Sequence, residues 1–196
     1  MKKHLFYLLA LIFLFASCDE SQRKERSHEK EEETTEFTSK THEAFFNNLT
    51  TLCGNTYRGE EIYRSHHGES VAEFDLIMHV TVCEEDKIYI PFHIGDDKSR
   101  TWMFLVEDGR LRLRHDHRYD DGTPHDETLY GGYADDTGSE FVQNFPADEY
   151  SAKLIEDGGG NLWTITLSED LSTYTYRLER DGEKRWRVDF DLTKPL

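Results

Sequence analysis

Short stretches of alternating apolar and polar residues dominate the chain from about residue 56 to its end. About ten of them have the length of a strand and are rich in aromatic or β-branched residues, which is typical of half-buried β-strands. They are TYRGEEIYR, FDLIMHVTV, KIYIPFHI, RTWMFLVE, RLRLRHDHR, SEFVQNF, SAKLIED, NLWTITLS, STYTYRLER and KRWRVDFDL. Asp-Gly pairs at 108–109, 121–122, 157–158 and 181–182 favour the tight turns that join antiparallel neighbours.

One helix precedes these strands. In THEAFFNNLTTLCG the apolar residues recur at helical spacing, with Thr41 as the N-cap and Gly54 as the stop. A chain of short hairpins can remove its unpaired edges by closing on itself. We therefore predict an all-β fold, an antiparallel up-and-down β-barrel of about 8–10 strands with one short N-terminal helix.

Several motifs carry a resemblance to known proteins. LCGNTYRGEE (52–61) resembles the opening of the calycin group, the lipocalins and nitrobindin-type barrels, with Tyr57 in place of the usual tryptophan and one extra residue after Gly54. SRTW, HDHRYDDG, YGG and FPAD are similar to motifs of bacterial envelope proteins with no established function. The resemblance implies a calycin-like barrel and carries no activity with it.

The first twenty residues have the layout of a secretory signal peptide. Lys2 and Lys3 precede the apolar stretch 5–15, and small residues stand before Cys18. Phe-Ala-Ser-Cys resembles the lipobox of bacterial lipoproteins, which implies that residues 1–17 are removed and that Cys18 carries acyl chains such as palmitate. Two or more chains give a stable membrane anchor.

We expect residues 18–40 to form an acidic, disordered tether, because they contain few large apolar residues, and residues 41–196 to form the barrel domain. Acidic residues after the cysteine resemble surface-export signals of Bacteroidota lipoproteins, whereas an Asp directly after it resembles an inner-membrane retention signal of enteric bacteria. We expect a lipid-anchored protein of the bacterial cell envelope, at the outer membrane and facing the periplasm or the surface, rather than at the inner membrane.

The net charge limits the partners. The chain carries −17, and loss of residues 1–17 would remove only two charges, both positive. Nucleic acids are poor electrostatic partners for such a surface, so we expect no nucleic acid. The expected partners are the membrane, through the lipid anchor, and a small-molecule ligand.

Apart from Cys18, only Cys53 and Cys83 are present, an even pair in a compartment where disulfides persist. We predict a disulfide between them, worth about 3–4 kcal/mol in the chain-entropy account. The alternative is two reduced, buried thiols.

Histidines cluster in RLRLRHDHR and the loop after it. On a strand His115 and His117 share the face of Leu111 and Leu113, which should point inward, while the arginines between them point outward to cross-strand acids. Two imidazoles at i and i+2 can bind one metal ion, with His125, Asp120 or Asp126 as a third ligand. The alternative is that these histidines form hydrogen bonds with carboxylates, backbone or ligand.

A haem is the other cofactor considered, because nitrobindin-type barrels hold haem through a histidine; His79 and His93 are the candidates, on the expectation that both point inward. Among the aromatic residues we expect about half to be core. Arg100 shares a strand face with Trp102, and a buried guanidinium there needs a carboxylate or a ligand anion. The candidate ligand-binding residues are therefore His93, Arg100, Trp102, His115 and His117.

No catalytic residue can be assigned, and the chain lacks a Gly-x-Ser-x-Gly elbow. The first hypothesis is a lipid-anchored envelope protein that binds a small ligand in its barrel, rather than an enzyme. Two alternatives remain: a metal- or haem-binding barrel that uses the histidine cluster, and a filled barrel that acts as a partner-binding or structural lipoprotein.

Overall fold

The computed structural model describes residues 36–66 and 68–196. The predicted signal peptide, the lipidation site Cys18 and most of the predicted tether lie outside these residues. The helices are α1 (Lys40–Thr50) and α2 (Glu149–Leu154), and a 3-10 turn spans Gly158–Gly160. The strands are β1 (Thr56–Arg64), β2 (Leu76–His79), β3 (Val82–Cys83), β4 (Lys87–Ile94), β5 (Asp97–Glu107), β6 (Arg110–His117), β7 (Tyr130–Tyr133), β8 (Val142–Pro146), β9 (Asn161–Leu167), β10 (Thr173–Arg180) and β11 (Glu183–Asp191).

The strands form one antiparallel sheet that curls into a nearly closed barrel, which confirms the predicted fold class. Their order is β7-β6-β5-β4-β2-β1-β11-β10-β9-β8, and β3 pairs with β4. The outermost strands meet through two backbone hydrogen bonds: the Asp148 N–H donates to Gly131 O (3.0 Å) and the Asp135 N–H donates to Asn144 O (2.9 Å). The sheet has eleven strands, whereas we expected about eight to ten.

Two of the four Asp-Gly pairs form the predicted hairpin turns. Asp108 and Gly109 join β5 to β6, Asp181 and Gly182 join β10 to β11, and all four residues have positive φ. Such a pair matches the twist of the flanking strands. The pair 121–122 lies in the loop after β6, and the pair 157–158 leads into the 3-10 turn.

The stretch SAKLIED is helical, so its interpretation as a strand was wrong. Most of it belongs to α2, and Asp148 caps this helix because its carboxylate accepts a hydrogen bond from the Ser151 N–H at 2.9 Å. An Asp N-cap favours a helix over local alternation of only a few residues. The sequence contains this signal in PADEYS, directly after β8.

Residues just before position 41 contact the barrel domain. Ser39, not Thr41, caps α1. Phe37 packs against Phe46 with ring centroids 5.5 Å apart, and the Thr38 N–H donates to Gly109 O at 2.8 Å. The segment before α1 is thus part of the folded domain from Phe37 onward.

A disulfide joins Cys53, just after α1, to Cys83 at the end of β3, as predicted. The Cα atoms are 6.2 Å apart and the two cysteines are 30 residues apart in sequence. A crosslink of that span stabilises the fold by about 3–4 kcal/mol, mainly by restricting the unfolded chain. It ties the helix to the sheet.

The side chains inside the barrel differ between its two ends. Helix α1 lies at the end where β5 finishes and β6 begins, and Phe45 packs on Phe104 there at 6.4 Å. On β5 and β6 the inward residues at this end are apolar: Phe104, Val106, Leu111 and Leu113 are all buried. Charged and hydrogen-bonding side chains appear only further along the same strands, toward the opposite end.

Candidate functional site

The end of the barrel opposite α1 gathers ionisable and aromatic side chains, and we call it the mouth. Antiparallel pairing sets Trp102 opposite His115 and Arg100 opposite His117 on the inner face. These four predicted ligand-binding residues therefore lie side by side on the neighbouring strands β5 and β6. The mouth is defined here by Arg64, Arg100, His117, Tyr130 and Trp186.

His115 lies at the base of the mouth and is buried. Its Nδ1 is 3.2 Å from the carbonyl oxygen of Tyr130, so Nδ1 carries the proton, and its Nε2 accepts from the hydroxyl of Tyr176 at 3.1 Å. Burial lowers the pKa of His115 to about 3. The imidazole is therefore neutral, and both of its nitrogens are used by the protein itself.

His117 lies one position closer to solvent. Its Nε2 is 3.0 Å from the hydroxyl of Tyr130, and its backbone N–H donates to Oγ1 of Thr128 at 2.7 Å. Burial, together with the positive charge of Arg100, lowers the pKa of His117 to about 4. Burial raises the pKa of Tyr130 to about 12. Both groups are uncharged at neutral pH.

Arg100 has the carboxylate that its position predicted. Its guanidinium pairs with Asp97, three residues earlier on β5. Although burial opposes the charge, hydrogen bonds from Ser99 and Arg100 lower the pKa of Asp97 to about 2. Asp97 is thus a permanent anion that holds Arg100 beside His117.

Arg64 enters the mouth because strand β1 contains a bulge. The pairing of β1 with β11 shifts register between Glu61 and Tyr63, so Arg64 faces Trp186. Its guanidinium lies 4.3 Å from the centre of the Trp186 ring, a cation–π contact. Without the extra residue, strand alternation would place Arg64 on the outer face.

The Glu61 carboxylate forms hydrogen bonds both with Trp186 of the mouth and with the loop between β1 and β2. One carboxylate oxygen accepts from the Trp186 indole N–H at 2.8 Å. The other accepts from the Ser70 hydroxyl and from the Val71 N–H, at 3.1 Å for the latter. Cavities of about 450 and 210 Å³ are lined by residues on the two sides of this loop, the first including Arg100 and the second including Arg64.

Below the mouth the interior is filled with rings. Trp102 stacks on Phe92 at 4.6 Å and on Tyr176 at 4.7 Å, and His115 stacks on Tyr130 at 4.6 Å. The best-formed cavities of the described residues include neither Trp102 nor His115 in their linings. These two predicted ligand-binding residues are therefore core residues that support the mouth.

His79 and His93 lie on the outer face, so the expectation that they point inward was wrong. Met78 and Phe92 are their buried neighbours, and alternation turns the histidines outward. There Nε2 of His79 is 3.0 Å from Nδ1 of His93, and the Thr56 hydroxyl is 3.0 Å from Nδ1 of His79. An outward pair cannot hold a haem inside the barrel.

The outward arginines of β6 pair with acids, as predicted; Glu107 lies on the neighbouring strand β5, whereas Asp148 is the N-cap of α2. Arg112 contacts Glu107 and Asp148, and Arg114 contacts Asp148 at 2.6 Å. Arg114 is itself buried, because α2 covers it.

The predicted metal ligands are only partly brought together. The rings of His117 and His125 are 6.0 Å apart, while His115 uses both nitrogens in the bonds described above. Within residues 36–66 and 68–196, no group of three or more His, Cys, Asp or Glu side chains is arranged to hold a metal ion.

Comparisons with known proteins were made at the level of protein families and of curated proteins. The chain matches no protein-family model, and no curated protein is significantly similar to it. In the part of the chain that the structure describes, the helices are too short or too polar to span a bilayer.

Proposed function

We propose that this chain is a lipid-anchored protein of the bacterial cell envelope whose barrel binds a small molecule at its mouth. The observation that carries the binding function is the contrast between the two ends of the barrel interior. On β5 and β6 the inward residues near α1 are apolar, whereas the mouth concentrates Arg64, Arg100, His117, Tyr130 and Trp186. A concave end lined by aromatic rings and a few converging polar groups is typical of ligand sites.

Because the interior is filled, the proposed binding site lies at the rim rather than in a deep lumen. The stacked rings of Trp102, Tyr176 and His115 form a rigid floor. Charged side chains are costly to gather at a partly buried position, so their presence above this floor favours a binding role over a structural one. Several of their pKa values depart from the ordinary ones because of that burial.

The anchor rests on the N-terminal sequence alone. The charged start, the apolar run of residues 5–15 and Phe-Ala-Ser-Cys support cleavage before Cys18 and acylation of its thiol. Labelling of cells with a palmitate analogue tests this part independently of the barrel. We expect incorporation in the natural chain and none in Cys18→Ser.

Native mass spectrometry of the protein purified from its own envelope tests the binding function. We expect the natural chain to retain an additional small-molecule mass and Arg100→Gln to lose it. Arg110→Gln is the matched control, since Arg110 lies on the outer face over the Tyr133 ring. A natural chain that carries only its lipid anchor would contradict the proposal.

A filled barrel also suits a protein that binds another protein through its surface. A groove of about 640 Å³ runs between β1, β11 and the C-terminal segment, with Ile62 and Leu196 exposed along it. The same mass spectra distinguish the two functions. A second polypeptide in place of a small mass would favour the partner-binding function.

A further inference from the structure

One cavity of the mouth is lined by three arginines, and we call it the arginine pocket. It comprises Arg64, Arg180, Arg185, Trp186 and the adjoining Ser65, Gly68 and Leu178, with a volume of about 210 Å³. The chain as a whole has 40 acidic residues and 23 basic ones. Three guanidinium groups around one small cavity therefore form a positive site on a chain whose net charge is negative.

Two β-bulges bring the arginines together. The bulge in β1 turns Arg64 inward, and β11 has a second register shift opposite Leu178 and Glu179, which leaves Arg185 as its extra residue. Arg180 is the last residue of β10, on the neighbouring strand. Bulges commonly re-aim side chains next to functional sites. Here both of them aim arginines at the same cavity.

The positive charges are only partly balanced within the described residues. Arg180 donates to the amide oxygen of Asn161 at 2.7 Å and to a backbone carbonyl, neither of which is charged. Arg185 pairs at 3.3 Å with Glu183, which is largely exposed, and its buried Nε has no partner.

The carboxylate that attracts Arg64, that of Glu61, is already engaged. Glu61 accepts from the Trp186 indole and from the β1–β2 loop, and Arg64 forms no ion pair in the described part of the chain. Like charges gathered in a partly buried cavity are costly unless an anion joins them. The pocket therefore has a net positive charge that can attract an anionic ligand.

Local backbone also fits this arrangement. A Cβ atom at Gly68 would lie 2.7 Å from Nε of Arg64, so only glycine leaves the guanidinium in its place over Trp186. Guanidinium groups present paired N–H donors that match the oxygens of phosphate and bind them bidentately. A cavity of this size holds a phosphate-sized group and a few further atoms.

We propose that the arginine pocket binds the phosphoryl group of a small ligand. The inference rests on the proposed binding function of the mouth and names the class of ligand that it takes. Arg64, Arg180 and Arg185 hold the oxyanion from three sides, and Trp186 forms the apolar wall.

Isothermal titration of the full-length chain in detergent with inorganic phosphate, at constant ionic strength, tests the proposal. We expect saturable one-to-one binding that is weakened about tenfold or more in Arg64→Gln and in Arg185→Gln. Arg185→Lys should give an intermediate loss, because it keeps the charge without the paired donors. Arg58→Gln is the matched control, since Arg58 is exposed on the same strand as Arg64 and pairs with Asp75; its affinity should be unchanged.

Circular dichroism checks that each variant is folded. If Arg64→Gln does not fold, the binding measured with Arg185→Gln tests the proposal. Equal binding of acetate, absence of phosphate binding, or an equal loss in Arg58→Gln would overturn the proposal. If the mass spectra show a retained neutral molecule while phosphate fails to bind, this inference fails and the binding function stands.

Vesicles that contain phosphatidic acid separate the two sources of the phosphoryl group. The Cys18→Ser chain is used, because the proposed acyl anchor would itself insert into any vesicle. Co-sedimentation of Cys18→Ser and not of the double variant Cys18→Ser, Arg185→Gln assigns the group to a lipid headgroup. Phosphate binding without co-sedimentation assigns it to a soluble ligand.

Discussion

Asp148→Ala is expected to lower the free energy of unfolding by about 3–5 kcal/mol. Its carboxylate receives hydrogen bonds from Arg112 at 3.1 Å and from Arg114 at 2.6 Å, and it caps α2. Arg114 is buried, so loss of its only carboxylate partner among the described residues leaves an uncompensated charge. The Asp148 N–H also donates to Gly131 O, one of the two hydrogen bonds at the seam where β7 and β8 meet. The substitution should therefore weaken this seam.

Urea unfolding of two further variants separates these contributions. Asp148→Asn keeps an acceptor for the helix cap and removes the charge, so it should cost less than the alanine variant. Glu149→Gln is the matched control, because this neighbouring acid is exposed and its pair with Lys153 contributes well under 1 kcal/mol. An Asp148→Ala protein within 1 kcal/mol of the natural chain would show that the seam does not depend on this residue.

Acidification from pH 7 to pH 5 is expected to destabilise the protein by about 2 kcal/mol through His115 and by a nearly equal amount through His117. In the unfolded chain a histidine has a pKa near 6.5, whereas burial lowers the pKa of His115 to about 3 and that of His117 to about 4. Between these values the unfolded state binds more protons. Stability is therefore full above pH 6.5 and falls as the pH drops toward 3.

Unfolding curves at several pH values measure this effect. His115→Gln should reduce the loss between pH 7 and pH 5 by about 2 kcal/mol, because glutamine does not titrate. A His115→Gln protein with the same pH dependence as the natural chain would contradict a neutral, buried His115.

Strand alternation predicted most of the fold for a simple reason. Where a strand is regular, every second residue faces the core, so Leu111, Leu113 and His115 could be placed inside together, and the structure buries all three. The Asp-Gly turns at 108–109 and 181–182 required positive φ at both positions, which is a local property of those residues. The Cys53–Cys83 bridge followed from an even count of cysteines in the expected compartment.

The same alternation failed where the register shifts. The bulge in β1 reverses the face of Arg64, and the one in β11 frees Arg185 from the pairing, so neither residue could be assigned to the mouth from its spacing. His93 was misplaced for a related reason: a run such as KIYIPFHI has apolar residues on both faces, and only the structure shows that Phe92 is the inward one. Bulges depend on the partner strand, which the local sequence does not specify.

The indole signals of the protein show directly whether a ligand binds at the mouth of the filled barrel. The chain has three tryptophans: Trp186 lies in the mouth, while Trp102 and Trp163 are buried below it. In a ¹H–¹⁵N NMR titration with a small-molecule extract of the envelope, the Trp186 indole should shift and the other two should stay in place. A largest shift at Trp102 or Trp163, or no shift at any of the three, would contradict the account.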